Sequence, residues 1–335
     1  MQVRSVELSI DAALSEKLKS MARYRLSIFC RGFTFKVLAA CFLLMASACS
    51  PENAEETREL EPDQEIVRPS AASMELSRFY SRLQSNLLRQ GFMRTDGGGL
   101  DAYYSHNDIL RNFERIALYD EYARNSGGQK DGVTEARLRK WSDPVKIGVE
   151  FGDSVSDRQR ETDRKVVRNY VERLADITGH PISFDDSPNF HVMFMGLDDR
   201  DYAVERILEI VPNINPSSLG FVGTLPRSVH CVVVTFANVG DEFVYRRAIA
   251  LIRAEHPVLL RRSCIHEEIA QGLGLANDSL RARPSIFNDN YEFALLTKHD
   301  EILLRLLYDP SLTPGMSADE VRPVLRELIA GFKTN

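Results

Sequence analysis

The chain has 335 residues, 44% of them hydrophobic and 27% charged, with a formal net charge of -6. That length accommodates one large or two medium domains, and the composition is ordinary for a folded protein. The acidic balance excludes the general basic surface that marks nucleic-acid binders, so no nucleic-acid partner is expected.

The N-terminal 49 residues read as a leader. Arg23, Arg25, Arg31 and Lys36 precede the apolar run Val37 to Met45, which is followed by Ala46-Ser47-Ala48-Cys49. A basic region, a short apolar region and small residues make a secretory signal. The apolar run is shorter than the roughly 20 residues a spanning helix needs. Cysteine directly after Ala-Ser-Ala resembles a bacterial lipobox, which implies lipid on Cys49, attachment to the membrane and a place in the cell envelope. Ser50 at the next position resembles the pattern for outer-membrane retention. The alternative is a plain cleaved signal or a short anchor. Residues 50–73, rich in Glu, Pro, Ala and Ser, bury too little to order themselves and read as a tether.

Residues 74–140 read as a helical N-terminal extension. Leu76, Phe79, Tyr80, Leu83, Leu87 and Leu88 recur at helical spacing from Met74 to Gln90. A second helix starts near Ser105 or Asn107 and carries Ile109, Leu110, Phe113 and Ile116 toward Tyr122. From Trp141 the texture changes. Val145 to Phe151 alternates as a half-buried strand, and Asp157 to Thr178 is an amphipathic helix closed by Gly179. Pro181–Phe184 and Asn189–Met195 read as short strands, Asp199–Val211 as a helix, and Asn213–Arg227 as a loop. Val229–Phe236 and Ala248–Ile252 read as apolar strands. Of the five cysteines, Cys231 and Cys264 lie in the folded part. An oxidising periplasm permits a disulfide between them, tying sheet to helix; the alternative is two buried free thiols.

The chemistry concentrates in Ser263 to Asp278. Glu267 and Gln271 are one turn apart on a helix and point the same way; Glu268 lies beside them, and Gly274 turns the chain toward Asn277 and Asp278. A zincin-type metalloprotease builds its site on such a skeleton, with two ligands one turn apart, a glutamate beside the first, and a glycine leading to a third ligand. Two registers compete. Starting from His266-Glu267 puts Ala270, which has no donor atom, in the second ligand position. Starting from Glu267 puts oxygen-bearing side chains, Glu267, Gln271 and Asn277, at all three positions and Glu268 at the general base.

Around this helix the sequence resembles a degenerate metzincin. Ser285-Ile286-Phe287 stands where the Met-turn of such enzymes is expected, and the run from Leu296 to Tyr308 is similar to their terminal helix. A closer resemblance is to a proteobacterial lipoprotein family carrying a domain of unknown function. Its shared runs are Cys-Ile-His-Glu-Glu-x-x-Gln (Cys264 to Gln271), Arg283 to Asp289, and Leu307 to Met316. The resemblance implies an α+β, metzincin-like domain over residues 141–335. The zinc-binding histidines are absent from it. Amide oxygens suit hard ions better than zinc, so no cofactor is expected and Glu268 is left as a vestigial base. The expected function is a non-catalytic binding or scaffold module for a peptide or envelope component. The rival is an atypical metallopeptidase or hydrolase using Glu268, with a divalent metal on Glu267, Gln271, Asn277 and Asp278. In a third reading these residues only hydrogen-bond their own backbone and turn. His180, His191 and His230 read as core or surface residues, and His299 as a solvent-facing residue at a helix start.

Overall fold

The computed structural model describes residues 68–120, 134–238, 240–288 and 290–332. The leader, Cys49 and most of the tether lie outside these residues. No helix among them is long and apolar enough to cross a membrane.

In chain order the elements are α1 (Ala71–Arg89), α2 (His106–Ala117), the two-residue strands β1 (Tyr119–Asp120), β2 (Thr134–Glu135) and β3 (Lys140–Trp141), and then β4 (Val145–Phe151). There follow α3 (Asp157–Thr178), β5 (Ile182–Phe184), β6 (Phe190–Met195), α4 (Arg200–Ile210), α5 (Pro216–Gly223), β7 (Cys231–Asn238) and β8 (Asp241–Arg253). The chain closes with α6 (Val258–Gly272), α7 (Lys298–Leu307) and α8 (Ala318–Ala330). The architecture is a mixed α+β one. β5, β4, β6 and β8 run parallel, β3 adds a short parallel pairing to β8, and β7 pairs antiparallel along β8.

Alternation within the strands sets the two faces of the sheet. Phe190, Val192 and Phe194 of β6, with Cys231 and Val233 of β7, point into the large core shared with α3, α6 and α7. Met193, Met195, Val232 and Val234 point to the opposite face, under α4 and α5. The N-terminal helices are not a separate body: Ile109, Phe113 and Ile116 of α2 belong to the large core, and Tyr80 of α1 packs with Leu260 and Ala294. α2 starts at a capping box in which Ser105 and Asp108 satisfy each other's backbone N–H, and that reciprocal pairing fixes the start of the helix.

Three elements differ from the sequence reading. The 213–227 loop contains α5, nucleated by the Asn215 side chain accepting from the Ser217 N–H (2.8 Å) and by Pro216 at its first position, a helix-start signal hidden among turn-forming residues. β8 begins at Asp241 rather than Ala248, because β7 supplies hydrogen bonds all along it. α2 stops at Ala117, and Tyr119–Asp120 pair with β2 as a strand where the sequence reading runs the helix on toward Tyr122. His299 is also corrected: it is fully buried, with Nε2 3.2 Å from the Asn112 amide and its ring edge-on to Tyr104. α2 docks on α7 and covers the residue that helix position alone placed in solvent.

Burial also sets an acid limit. His230 is enclosed near Tyr80 and His256, and burial, assisted by Arg253, lowers its pKa to about 4. Below about pH 6.5 the unfolded chain takes up a proton that the folded chain refuses, so stability falls from pH 6.5 to about 4. His230→Gln is expected to flatten that part of a melting-temperature profile; an unchanged slope would contradict the assignment. Glu150 acts lower down. Burial alone would raise it, but His191 and Arg206 hold it at about 2. Its contribution is present above about pH 4.5 and is lost as pH falls toward 2.

Candidate functional site

From Ser263 to Gly272 every residue of α6 is buried, as expected of a helix that runs into a core. Its register is held from both ends. In the first turn Arg261 Nε lies 2.6 Å from Asp163 Oδ2 of α3. At the last turn the Trp141 indole N–H donates to the Gly272 carbonyl (2.8 Å), and the Tyr308 hydroxyl to the Leu273 carbonyl (2.8 Å). A Cβ on Gly272 would fall inside contact distance of the Phe190 ring. Gly272→Ala should therefore lift the helix end off the sheet and cost about 1–3 kcal/mol by chemical denaturation; a neutral result would place this contact wrongly. Gly274 has φ +127°, and a Cβ there would stand 2.5 Å from the Arg139 carbonyl. It turns the chain out of the helix where a side chain could not.

Cys231 and Cys264 form a disulfide, with Cα atoms 5.9 Å apart, that ties the antiparallel strand to the middle of α6. The bond closes a separation of 33 residues, and its loss should cost roughly 2–4 kcal/mol. The Cys231→Ala, Cys264→Ala double variant is expected to melt several degrees lower.

The register of the site helix is decided by His266. Its ring stacks on Tyr170 with centroids 4.0 Å apart, and its Nδ1 accepts the Leu296 N–H at 3.2 Å. Burial, with Arg173 and Arg262 adding repulsion, pushes it down to about 3. His266 is thus a neutral acceptor that holds the segment entering α7, on a different side from the carboxylates. The reading that begins with a His-Glu pair has no support here.

Glu267, Glu268 and Gln271 are all buried. A carboxylate oxygen of Glu267, one of Glu268 and the Cys231 sulfur lie within 4.8 Å of one another. The sulfur is committed to its disulfide and offers no thiolate, so only oxygens remain as donors in that group. Gln271 Nε2 donates to Asp278 Oδ1 at 3.0 Å, while Gln271 Oε1 has no hydrogen-bond partner among the described residues. Neither oxygen of Glu268 meets hydrogen-bond geometry there. Burial, then the nearby Asp278 carboxylate, raise the Glu268 carboxyl well above the usual range, against a weaker lowering pull from the Val233 backbone. Both effects favour the protonated form of Glu268.

Asn277 does not join them. Its backbone N–H and its amide both face the Ile116 carbonyl at the end of α2, at 3.1 and 3.4 Å. The structure gathers Glu267, Glu268, Gln271 and Asp278, and turns the Asn277 amide away. After α6, the Ser285 hydroxyl donates to Asp300 Oδ1 at 2.5 Å and the Ile286 N–H to Asp300 Oδ2 at 3.0 Å. The same carboxylate accepts from Thr297 at the start of α7. The Ser285 turn is thereby fixed to α7.

Beside Asp278 opens a cavity of about 600 Å³, lined by Arg111, Arg115, Tyr119, Leu280 and Arg281 among others. These residues belong to no motif. Only the docking of the last turn of α2 against residues 277–281 brings them together, so sequence reasoning had no signal for them.

A family model, described as a protein of unknown function (DUF2927), matches residues 106–327. The chain belongs to the DUF2927 family. The match spans α2 to α8 and so includes every side chain of the gathered cluster as well as the cavity beside it. No curated protein and no solved structure matches this DUF2927 chain.

Proposed function

We propose that this DUF2927 chain is a lipid-anchored protein of the cell envelope whose metzincin-like domain has lost zinc and serves as a non-catalytic binding module. The succession of strand, helix, strands and then a site-bearing helix supports the metzincin likeness, as does the turn at Ser285, which follows that helix in the chain and is anchored to Asp300. The observation that carries the non-catalytic reading is the state of the donors. His266 is turned to the Leu296 N–H, the Gln271 amide nitrogen is turned to Asp278, and burial favours the protonated form of Glu268. Zinc in a protease site needs three good donors and an open position for water, and these residues do not fit it. Without an activated water, a general base has nothing to act on.

Glu268→Gln tests this reading. A carboxyl whose pKa is raised on folding weakens the fold as pH rises above about 4.5, because the unfolded chain releases the proton more readily. The amide carries no proton to release. The variant should therefore match the parent near pH 4.5 and melt higher than it at pH 8, with no peptidase activity in either protein. A lower melting point at pH 8 together with loss of a measurable peptidase activity would overturn the reading.

A second reading has one observation in its favour, the buried Glu268 oxygens and Gln271 Oε1, for which no partner among the described residues meets hydrogen-bond geometry. They suit a hard divalent ion in an unorthodox hydrolase. Calcium, magnesium or manganese raising the melting temperature of the parent but not of Glu268→Gln would favour it.

A further inference from the structure

The cavity beside Asp278 has an unusual charge balance for an acidic protein. Of its two carboxylates, Glu114 already pairs with Arg322 Nε at 2.6 Å, and Asp278 accepts from Gln271 at 3.0 Å. Arg111 is paired with Asp108. Arg115 and Arg281 have no carboxylate partner among the described side chains. Two arginines without a carboxylate partner among the described side chains thus share a cavity with Tyr119 and with Leu280, which is 76% exposed. A volume of about 600 Å³ falls within the usual range for ligand sites, which combine apolar walls with a few placed polar groups.

We infer that this cavity binds a carboxylate-rich peptide segment, with Arg115 and Arg281 holding its acidic groups and Tyr119 and Leu280 packing on its aliphatic parts. The inference rests on the binding-module reading above and names the partner class for it. Guanidinium forks match carboxylates two hydrogen bonds at a time. The Asp278 carboxylate in the same wall repels a compact dianion such as phosphate more than the spaced single charges of an acidic peptide. The cavity adjoins the gathered oxygen cluster through Asp278 and leaves Glu268 outside its lining, so binding there requires no reaction.

The test is fluorescence anisotropy on the detergent-solubilised full chain, with a fluorescein-labelled tetraglutamate peptide and with tetralysine and tetraalanine as controls. Tetraglutamate alone is expected to bind saturably. Arg115→Gln with Arg281→Gln should weaken it about tenfold or more, the scale of one or two lost charge-assisted hydrogen bonds. Because Arg115 also sits in the last turn of α2, where it favours the helix end, the melting temperature is followed in parallel. The Arg115→Lys, Arg281→Lys pair should keep the fold and show intermediate affinity. No saturation with tetraglutamate, equal binding of tetraalanine, or binding unaffected by the double variant would each overturn the proposal. So would displacement by inorganic phosphate beyond that of sodium chloride at equal ionic strength, which would assign the cavity to phosphate. The zinc content and the pH profile of Glu268→Gln do not depend on Arg115 or Arg281, so failure of the non-catalytic reading is seen separately.

Discussion

Trp141→Ala is expected to destabilise the protein by about 3–5 kcal/mol, the range for emptying a large aromatic site in a core. Trp141 is 1% exposed, lies parallel to Phe190 at 6.3 Å and meets Tyr245 edge-on. Its indole N–H is also bound to the carbonyl that ends α6. The loss therefore combines a cavity with an unsatisfied helix terminus. Trp141→Phe fills most of the space and gives up the hydrogen bond. It should recover more than half of the loss, and urea unfolding of the two variants measures the split. Equal effects from both would mean that the hydrogen bond, and not packing, fixes the end of the site helix.

The second large effect is expected at the other end of the same helix. Arg261→Ala leaves Asp163, itself 1% exposed, as a buried carboxyl without its cation, and breaking such a pair on one side costs about 3–5 kcal/mol. Burial already raises the Asp163 carboxyl more than Arg261 lowers it, so the pair is balanced against a high desolvation cost. Arg261→Met with Asp163→Leu removes both charges and should lie far closer to the parent than the two single losses added together. Additive losses in that cycle, measured by chemical denaturation, would show that the two groups do not act as a pair.

The extent to which the sequence revealed the fold depended on how local the deciding interactions are. The apolar stripe through Val167, Tyr170, Val171 and Leu174, closed by Gly179, gave α3 its observed limits. The alternation in Val145 to Phe151 gave β4. α5 was hidden because prolines and glycines mark turns as readily as helix starts. The first half of β8 depends on hydrogen bonds from β7, which no local pattern reports. At the site, spacing alone brought forward Glu267, Glu268 and Gln271. Counting helix positions placed Asn277 third, whereas the turn after Gly274 presents Asp278 to Gln271 and sends the Asn277 amide to Ile116. The role of His266 depends on Tyr170 and Leu296, which are 96 and 30 residues away. Contacts at that range are outside any sequence window, and the Arg115 and Arg281 cavity is invisible for the same reason.

The central claim is that oxygen side chains now occupy a skeleton that no longer holds zinc. It is tested most directly by elemental analysis of the purified full chain after dialysis against zinc-containing buffer and then against buffer alone. The account predicts zinc far below one atom per chain. One tightly held zinc per chain, lost in Glu267→Ala, would contradict it.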